Sequence, residues 1–346
     1  MRAVVTRRFG EPPRVEDVEE PRPAPHGVVV RVEATGVCRS DWHAWQGHDP
    51  DVVLPHVGGH ELAGTVEAVG RDVRGWRAGD RVTVPFVCAC GSCATCLAGE
   101  AQVCPHQTQP GFTGWGSFAQ YVALDHADVN LVALPAELDA ASAAGLGCRV
   151  ATAYRAVAQR GRVRPGEWLS VHGCGGVGLS AVAVGVALGA RVVAVDVSPA
   201  ALDVAGRLGA EVVVAAGEVD DVPGAVADAT GGGAHVSVDA VGSAATCADT
   251  VLALRRRGRQ VQVGLLPAAT GHPQVPMERV IAYELDLLGS HGLAAADYPA
   301  LLELVVSGRL PAGALLGRRI GLDGVPEALE AMGQGRLGPG ITVASP

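Results

Sequence analysis

The sequence predicts an α/β protein in two parts: a mostly β domain carrying metal ligands, and a doubly wound parallel sheet with helices between its strands. Three observations carry this. Residues up to about 150 alternate apolar and polar in short runs broken by glycine and proline, the grammar of strands and turns. From about Val150 the pattern becomes strand, helix, strand, with Trp168 to His172 as a buried strand, a helical run to Leu188, and Arg191 to Val195 as the next strand. Between that first strand and helix lies Gly173-Cys174-Gly175-Gly176-Val177-Gly178, a G-x-G-x-x-G in the setting that gives the motif meaning.

Composition narrows the partners. The chain has 346 residues, enough for two domains with full cores, and a hydrophobic fraction of 48%. A net charge of −9 argues against nucleic acid or an anionic membrane, since either would need a basic face. All 27 basic residues are arginine. Without lysine, Schiff-base chemistry and the Gly-Lys-Ser/Thr phosphate loop are both excluded. Met1 to Gly10 has no apolar run, so a cytoplasmic location is expected, where the 9 cysteines stay as thiols.

Taken in order, Val28-Val29-Val30-Arg31-Val32 reads as strand, and the proline-rich Glu20 to Pro25 as turn. Cys38-Arg39-Ser40-Asp41-Trp42-His43 then concentrates a thiol, a hydroxyl, a carboxylate and an imidazole in six residues. Gly59-His60-Glu61 opens the next strand, and Gly79 to Val84 repeats turn and strand. Thiolate and imidazole are the preferred zinc donors, so Cys38 and His60 are candidate ligands, with Cys148 the best third. Three protein donors and one free position describe a zinc that does chemistry. Cys90, Cys93, Cys96 and Cys104 follow the spacing C-x2-C-x2-C-x7-C, close enough to fill a tetrahedron around a second zinc and leave no place for substrate.

In the second part the glycines allow a tight turn and bring backbone N–H groups and a helix N-terminus to a pyrophosphate. Asp196, eighteen residues past Gly178 at the end of the second strand, can accept from both ribose hydroxyls and would repel a 2′-phosphate, which favours NAD over NADP. A helix is expected at Pro199 to Leu208, strands at Glu211 to Val214 and His235 to Asp239, a helix at Ala244 to Arg255, and strands at Gln260 to Val263 and Leu285 to Leu288. A last helix is expected at Pro299 to Val306.

With these motifs the chain resembles the zinc-dependent medium-chain alcohol dehydrogenases over essentially its whole length. That resemblance implies a GroES-like catalytic domain over 1–150, a Rossmann domain over 151–289, and a segment over 290–346 that returns to the first. It implies two zinc ions and NAD(H), a small alcohol or aldehyde as substrate, primary in the first instance, and polyol or secondary-alcohol oxidation as the alternative. A homotetramer is the expected assembly, with a dimer as the other option. Glu61 would stand close behind the catalytic zinc and Asp41 would orient His60. Ser40 and His43 match a proton relay that runs through a nicotinamide ribose hydroxyl. Thr152, Val177, Val263 and Leu265 fall beside the cofactor, and Phe86 and Leu265 match pocket positions, with Trp45 and Trp115 as further pocket candidates. One departure stands out: Gly338 to Val343 lacks the arginine that many relatives direct to the cofactor phosphates.

Overall fold

The computed structural model describes residues 1–266 and 272–346. The chain forms two compact units, one of residues 1–151, 292–307 and 315–346, the other of residues 152–291 and 308–314.

The first unit is built mainly on antiparallel strands, with Leu316–Gly321 and Ile341–Ser345 paired in parallel. A seven-stranded sheet runs in the order Leu316–Gly321, Ile341–Ser345, Val28–Val37, Glu61–Val69, Arg81–Thr83, Val132–Ala133, with Tyr121–Leu124 also paired to Val28–Val37. The long valine-rich strand Val28–Val37 is buried along almost its entire length because three strands pair with it. Gly338 to Val343, the arginine-poor stretch, leads into the Ile341–Ser345 strand, whose Thr342 to Ala344 pair with Val37 to Thr35. A second sheet orders Arg14–Asp17, Arg2–Thr6 and His56–Val57. Its core holds Val4, Val57, Phe118, Leu329 and Trp45. Short helices interrupt the β framework, and Arg39–Trp45 matters most because it begins directly after Cys38.

The second unit has a six-stranded, all-parallel sheet in the order Val212–Ala215, Arg191–Asp196, Trp168–His172, Ala234–Asp239, Leu254–Gln262, Asp286–Gly289. The order reverses direction beside Trp168–His172, the topological switch point of a doubly wound fold. The helix Gly176–Ala187 is apolar nearly all round and buried over most of its length, as expected of a crossover packed on a sheet. A Cβ at Gly178 would lie 1.6 Å from the Gly173 carbonyl oxygen, so only glycine lets this helix close on the loop before it.

Two expected boundaries need correction. The helix expected to reach Arg255 ends at Leu252, and the strand expected from Gln260 begins at Leu254, because Leu254 pairs with Ala234 and draws the arginine run into the sheet. Helices Val222–Thr230 and Met277–Tyr283 gave no clear period in the sequence and were not expected. Among the described residues no helix is long and apolar enough to cross a membrane.

Replacing Gly178 with Ala should force the helix off the loop at a cost of about 1–3 kcal/mol, the range for overpacking, read as a lower urea midpoint with unchanged m-value.

Candidate functional site

The helix Arg39–Trp45 starts at Cys38, and Asp41, three residues on, turns its carboxylate back to the helix start. Asp41 Oδ2 accepts from Cys38 N at 2.8 Å, the backward half of a capping box. Its Oδ1 accepts from Gly59 N at 3.0 Å and from His60 Nδ1 at 2.9 Å. Gly59 holds φ +96°, and a Cβ there would strike Phe118 N at 2.6 Å, so the turn that delivers His60 needs glycine. With Nδ1 donating to Asp41, the tautomer leaves the Nε2 lone pair free. That atom is buried and has no hydrogen-bond partner.

Around it, Cys38 Sγ, Cys148 Sγ and a Glu61 carboxylate oxygen complete a group whose donor atoms all lie within 4.8 Å of one another, every residue buried. A buried, unpartnered imidazole nitrogen beside two thiols is the donor set of a zinc ion. A hydrogen bond from the Cys148 thiol, aided by the positive charge of Arg149, holds Cys38 well below the usual thiol range against the opposing effect of burial, and so favours the thiolate that a metal needs.

Glu61 is also gripped from the other side. Arg149 donates through its backbone N and Nε to Oε1 at 2.9 Å each, through Nε to Oε2 at 3.0 Å, and through Nη2 to Oε2. Burial pushes the Glu61 carboxyl up, and Arg149 opposes that rise. Gly36 makes room for the pair: a Cβ there would lie 2.1 Å from Glu61 Oε2. Arg149 was missed in the sequence, although an arginine directly after a candidate ligand was the available signal.

Ser40 Oγ lies 4.0 Å from Cys38 Sγ. His43 Nδ1 approaches His48 Nδ1 at 3.0 Å, a neighbour to which the sequence gave no role. Phe86 and Phe112 pack their rings on His60 with centroids 6.2 Å and 5.2 Å away, and Phe112 was not anticipated. Of the two tryptophan pocket candidates, Trp45 needs correction. Trp45 is sunk in the core of the terminal strands, its Nε1 donating to Glu11 O at 2.6 Å, and Trp115 is exposed with Nε1 on Pro55 O. A helix face and a surface turn decided their placement, and neither was readable from residue type alone.

The four-cysteine lobe gathers as its spacing foretold. Sγ separations are 3.5 Å for Cys93–Cys96, 3.6 Å for Cys90–Cys104, 3.8 Å for Cys93–Cys104 and 4.0 Å for Cys90–Cys96. A tetrahedron with zinc–sulfur bonds of about 2.3 Å has edges of about 3.8 Å, so the lobe fits one ion. Backbone N–H groups of Ser92 and Cys93 push the Cys90 thiol down to about 5.

In the second unit, Gly173, Gly175, Gly176, Val177 and Gly178 form the turn from strand to helix. No protein atom lies within 4 Å of where a Cβ at Gly175 would sit, so the open space there suits a ligand, not a neighbouring element. Asp196 closes the second strand, its Oδ2 accepting from Cys174 N at 2.5 Å and Oδ1 from Ser198 N at 2.8 Å. Val263 hydrogen-bonds through its N to Asp239 O, Leu265 is exposed, and Thr152 is buried with an unpartnered Oγ1.

Comparison with known proteins agrees with this geometry. Residues 24–136 match the alcohol dehydrogenase GroES-like domain, and residues 176–307 match the zinc-binding dehydrogenase family. An alcohol dehydrogenase of Rhizobium meliloti (strain 1021) is 37% identical over 314 residues, 90% of each chain. The chain belongs to the zinc-type medium-chain alcohol dehydrogenases. Among solved structures it is similar to an NAD-dependent alcohol dehydrogenase (32% identity, all of both chains, TM-score 0.89) and to 2R,3R-butanediol dehydrogenase from Bacillus subtilis (27% identity, 100% of this chain and 99% of that one, TM-score 0.86).

Asp41→Asn should weaken zinc affinity at the Cys38 group by about 10–100-fold, as loss of a ligand's orienting partner does, measured by competition with a chromophoric chelator. Cys93→Ser should cut the metal content from two ions to one and lower the melting temperature, because the lobe has little else to hold it. A mutant that keeps both ions and its melting temperature would overturn the structural reading of the lobe.

Proposed function

We propose that the chain is an NAD-dependent alcohol dehydrogenase that interconverts small primary alcohols and aldehydes. The unpartnered, buried His60 Nε2 carries the reading, because His60 belongs with the Cys38 and Cys148 thiols and Glu61 to a buried group whose donor atoms are close enough to share one ion. A zinc ion held there supplies Lewis acidity to an alcohol or carbonyl oxygen, and NAD(H) supplies the acceptor or donor of hydride. Asp41 fixes the imidazole that faces the ion, and Arg149 holds Glu61 against drifting. Phe86 and Phe112 bring aromatic rings to the same imidazole and add no charge, which suits a simple alcohol better than a polyol.

Ser40 takes the proton from the alcohol oxygen and His43 carries it outward, with His48 next in line. Burial, then the charges of His48 and Arg39, push the His43 imidazole below its ordinary value. It is therefore neutral at pH 7 and free to accept. The glycine loop receives the pyrophosphate, and Thr152, Val177, Val263 and Leu265 flank the cofactor. The reading includes a homotetramer in the cytoplasm, supported by likeness to the shorter bacterial members.

The test is zinc content together with NAD(H) turnover on a panel of alcohols and aldehydes. About two zinc ions per chain and NAD-linked turnover of primary alcohols are expected, and full zinc without turnover of any alcohol would overturn the reading. Asp196→Gly should shift the NAD/NADP preference about tenfold toward NADP, the equivalent of about 1.4 kcal/mol.

A further inference from the structure

Six of the arginines converge on one concavity far from the glycine loop. A cavity of about 480 Å³ in the second unit is lined by Arg162, Arg164, Arg255, Arg256, Arg257 and Arg259, with Glu167 and His235. Glu167 and His235 stand at or beside the first residues of strands Trp168–His172 and Ala234–Asp239, and Arg255 is the second residue of Leu254–Gln262. The glycine loop leaves the other end of Trp168–His172. A five-residue strand spans about 17 Å, so the two places are separated by about the length of that strand.

The charges are incompletely answered by the protein. Arg259 pairs with Glu167 at 2.7 Å, Arg257 with Glu284 at 2.6 Å and Arg162 with Asp286 at 3.0 Å. Arg256 lies over the Tyr283 ring, and Arg255 Nη1 has only the His235 ring, at 2.9 Å from Nε2, a nitrogen that cannot accept while Nδ1 takes the Trp168 N–H. Among the described residues Arg164 and Arg255 have no carboxylate, and Arg259 Nε is buried without any partner. A chain of net charge −9 would not gather six cations here as a mere solvated face.

The backbone is strained in the same place. Arg162 (φ 49°) and Arg257 (φ 62°) occupy the left-handed region, two of the four non-glycine residues to do so among those described. Such strain persists only where the surroundings impose it, and it gathers at ligand clamps.

We infer that this cavity binds a small phosphate-bearing anion, gripped by the forked donors of Arg164, Arg255 and Arg259. Planar guanidinium groups match phosphate oxygens in pairs, and arginine keeps its charge at every working pH. The volume exceeds that of one phosphate group, so a phosphate ester fills it better than the free ion. The concave lining favours a small anion over a nucleic-acid strand.

The test titrates zinc-loaded protein with inorganic phosphate and, separately, with glucose 6-phosphate, at ionic strength held constant with chloride, following heat of binding and melting temperature. One site per chain is expected, with a melting temperature that climbs with ligand concentration. Saturation by the ester at lower concentration than by free phosphate identifies the ester as the better ligand, and the reverse identifies the free ion; either supports the site. Arg164→Ser/Arg255→Ser, both surface residues, should weaken binding at least tenfold, while Arg71→Ser should leave it unchanged. Saturating NADH should not displace the anion. Displacement by NADH, equal binding in the double variant, or no response beyond that of chloride would overturn the inference. A protein that fails to bind NADH yet binds the anion would refute the dehydrogenase reading and leave this one standing.

Discussion

One buried carboxylate organises the metal centre. Asp41 is 2% exposed and takes hydrogen bonds from the start of a helix, from the turn before a strand and from the imidazole itself. A buried charge is costly unless it is hydrogen-bonded, and here two of its three bonds, to Gly59 and His60, also join pieces of chain that must meet. Cys38 and His60 are distant in sequence and sit on different elements. Without Asp41 neither their separation nor the face that His60 presents would be set.

The third sulfur is brought in by a second buried charge pair. Glu61 lies on the strand after His60, and Arg149 directly follows Cys148, so their ion pair ties the loop bearing Cys148 to that strand. A buried ion pair is weak evidence for stability, because desolvation offsets the attraction, but breaking one partner typically costs about 3–5 kcal/mol. Its value lies in position: it ties Cys148 to the strand that follows His60 and holds the Glu61 carboxylate within the same buried group. Gly36 is part of that arrangement, since any side chain there would occupy the carboxylate's space.

The parts of the site written as local motifs were readable from the sequence. Short cysteine spacing and a glycine turn between strand and helix each fix chemistry within about a dozen residues, so Cys90 to Cys104 and Gly173 to Gly178 could be placed without a fold. Cys38, His60 and Cys148 could be named as donors by residue type, but their meeting depends on two sheets. Phe112 was invisible, and Arg149 had no signal but its place directly after Cys148, because their roles come from what folds beside them. Trp45 failed for the same reason in reverse: a large aromatic ring reads identically whether it lines a pocket or fills a core. The arginine run at 255–259 resembled a helix end until the pairing of Leu254 with Ala234 and of Arg259 with Val236 placed it in a strand.

Every ion pair formed with a side-chain base other than histidine uses a guanidinium, from the buried Arg149–Glu61 to the surface Arg191–Glu211. A lysine ammonium loses its proton near pH 10.4, whereas a guanidinium keeps its proton well beyond that. These bridges therefore survive strongly alkaline conditions that would dissolve the lysine pairs of an ordinary protein. Oxidation of an alcohol releases a proton and is drawn forward as alkalinity rises, so the scaffold keeps its cross-links in the very medium that most favours carbonyl formation.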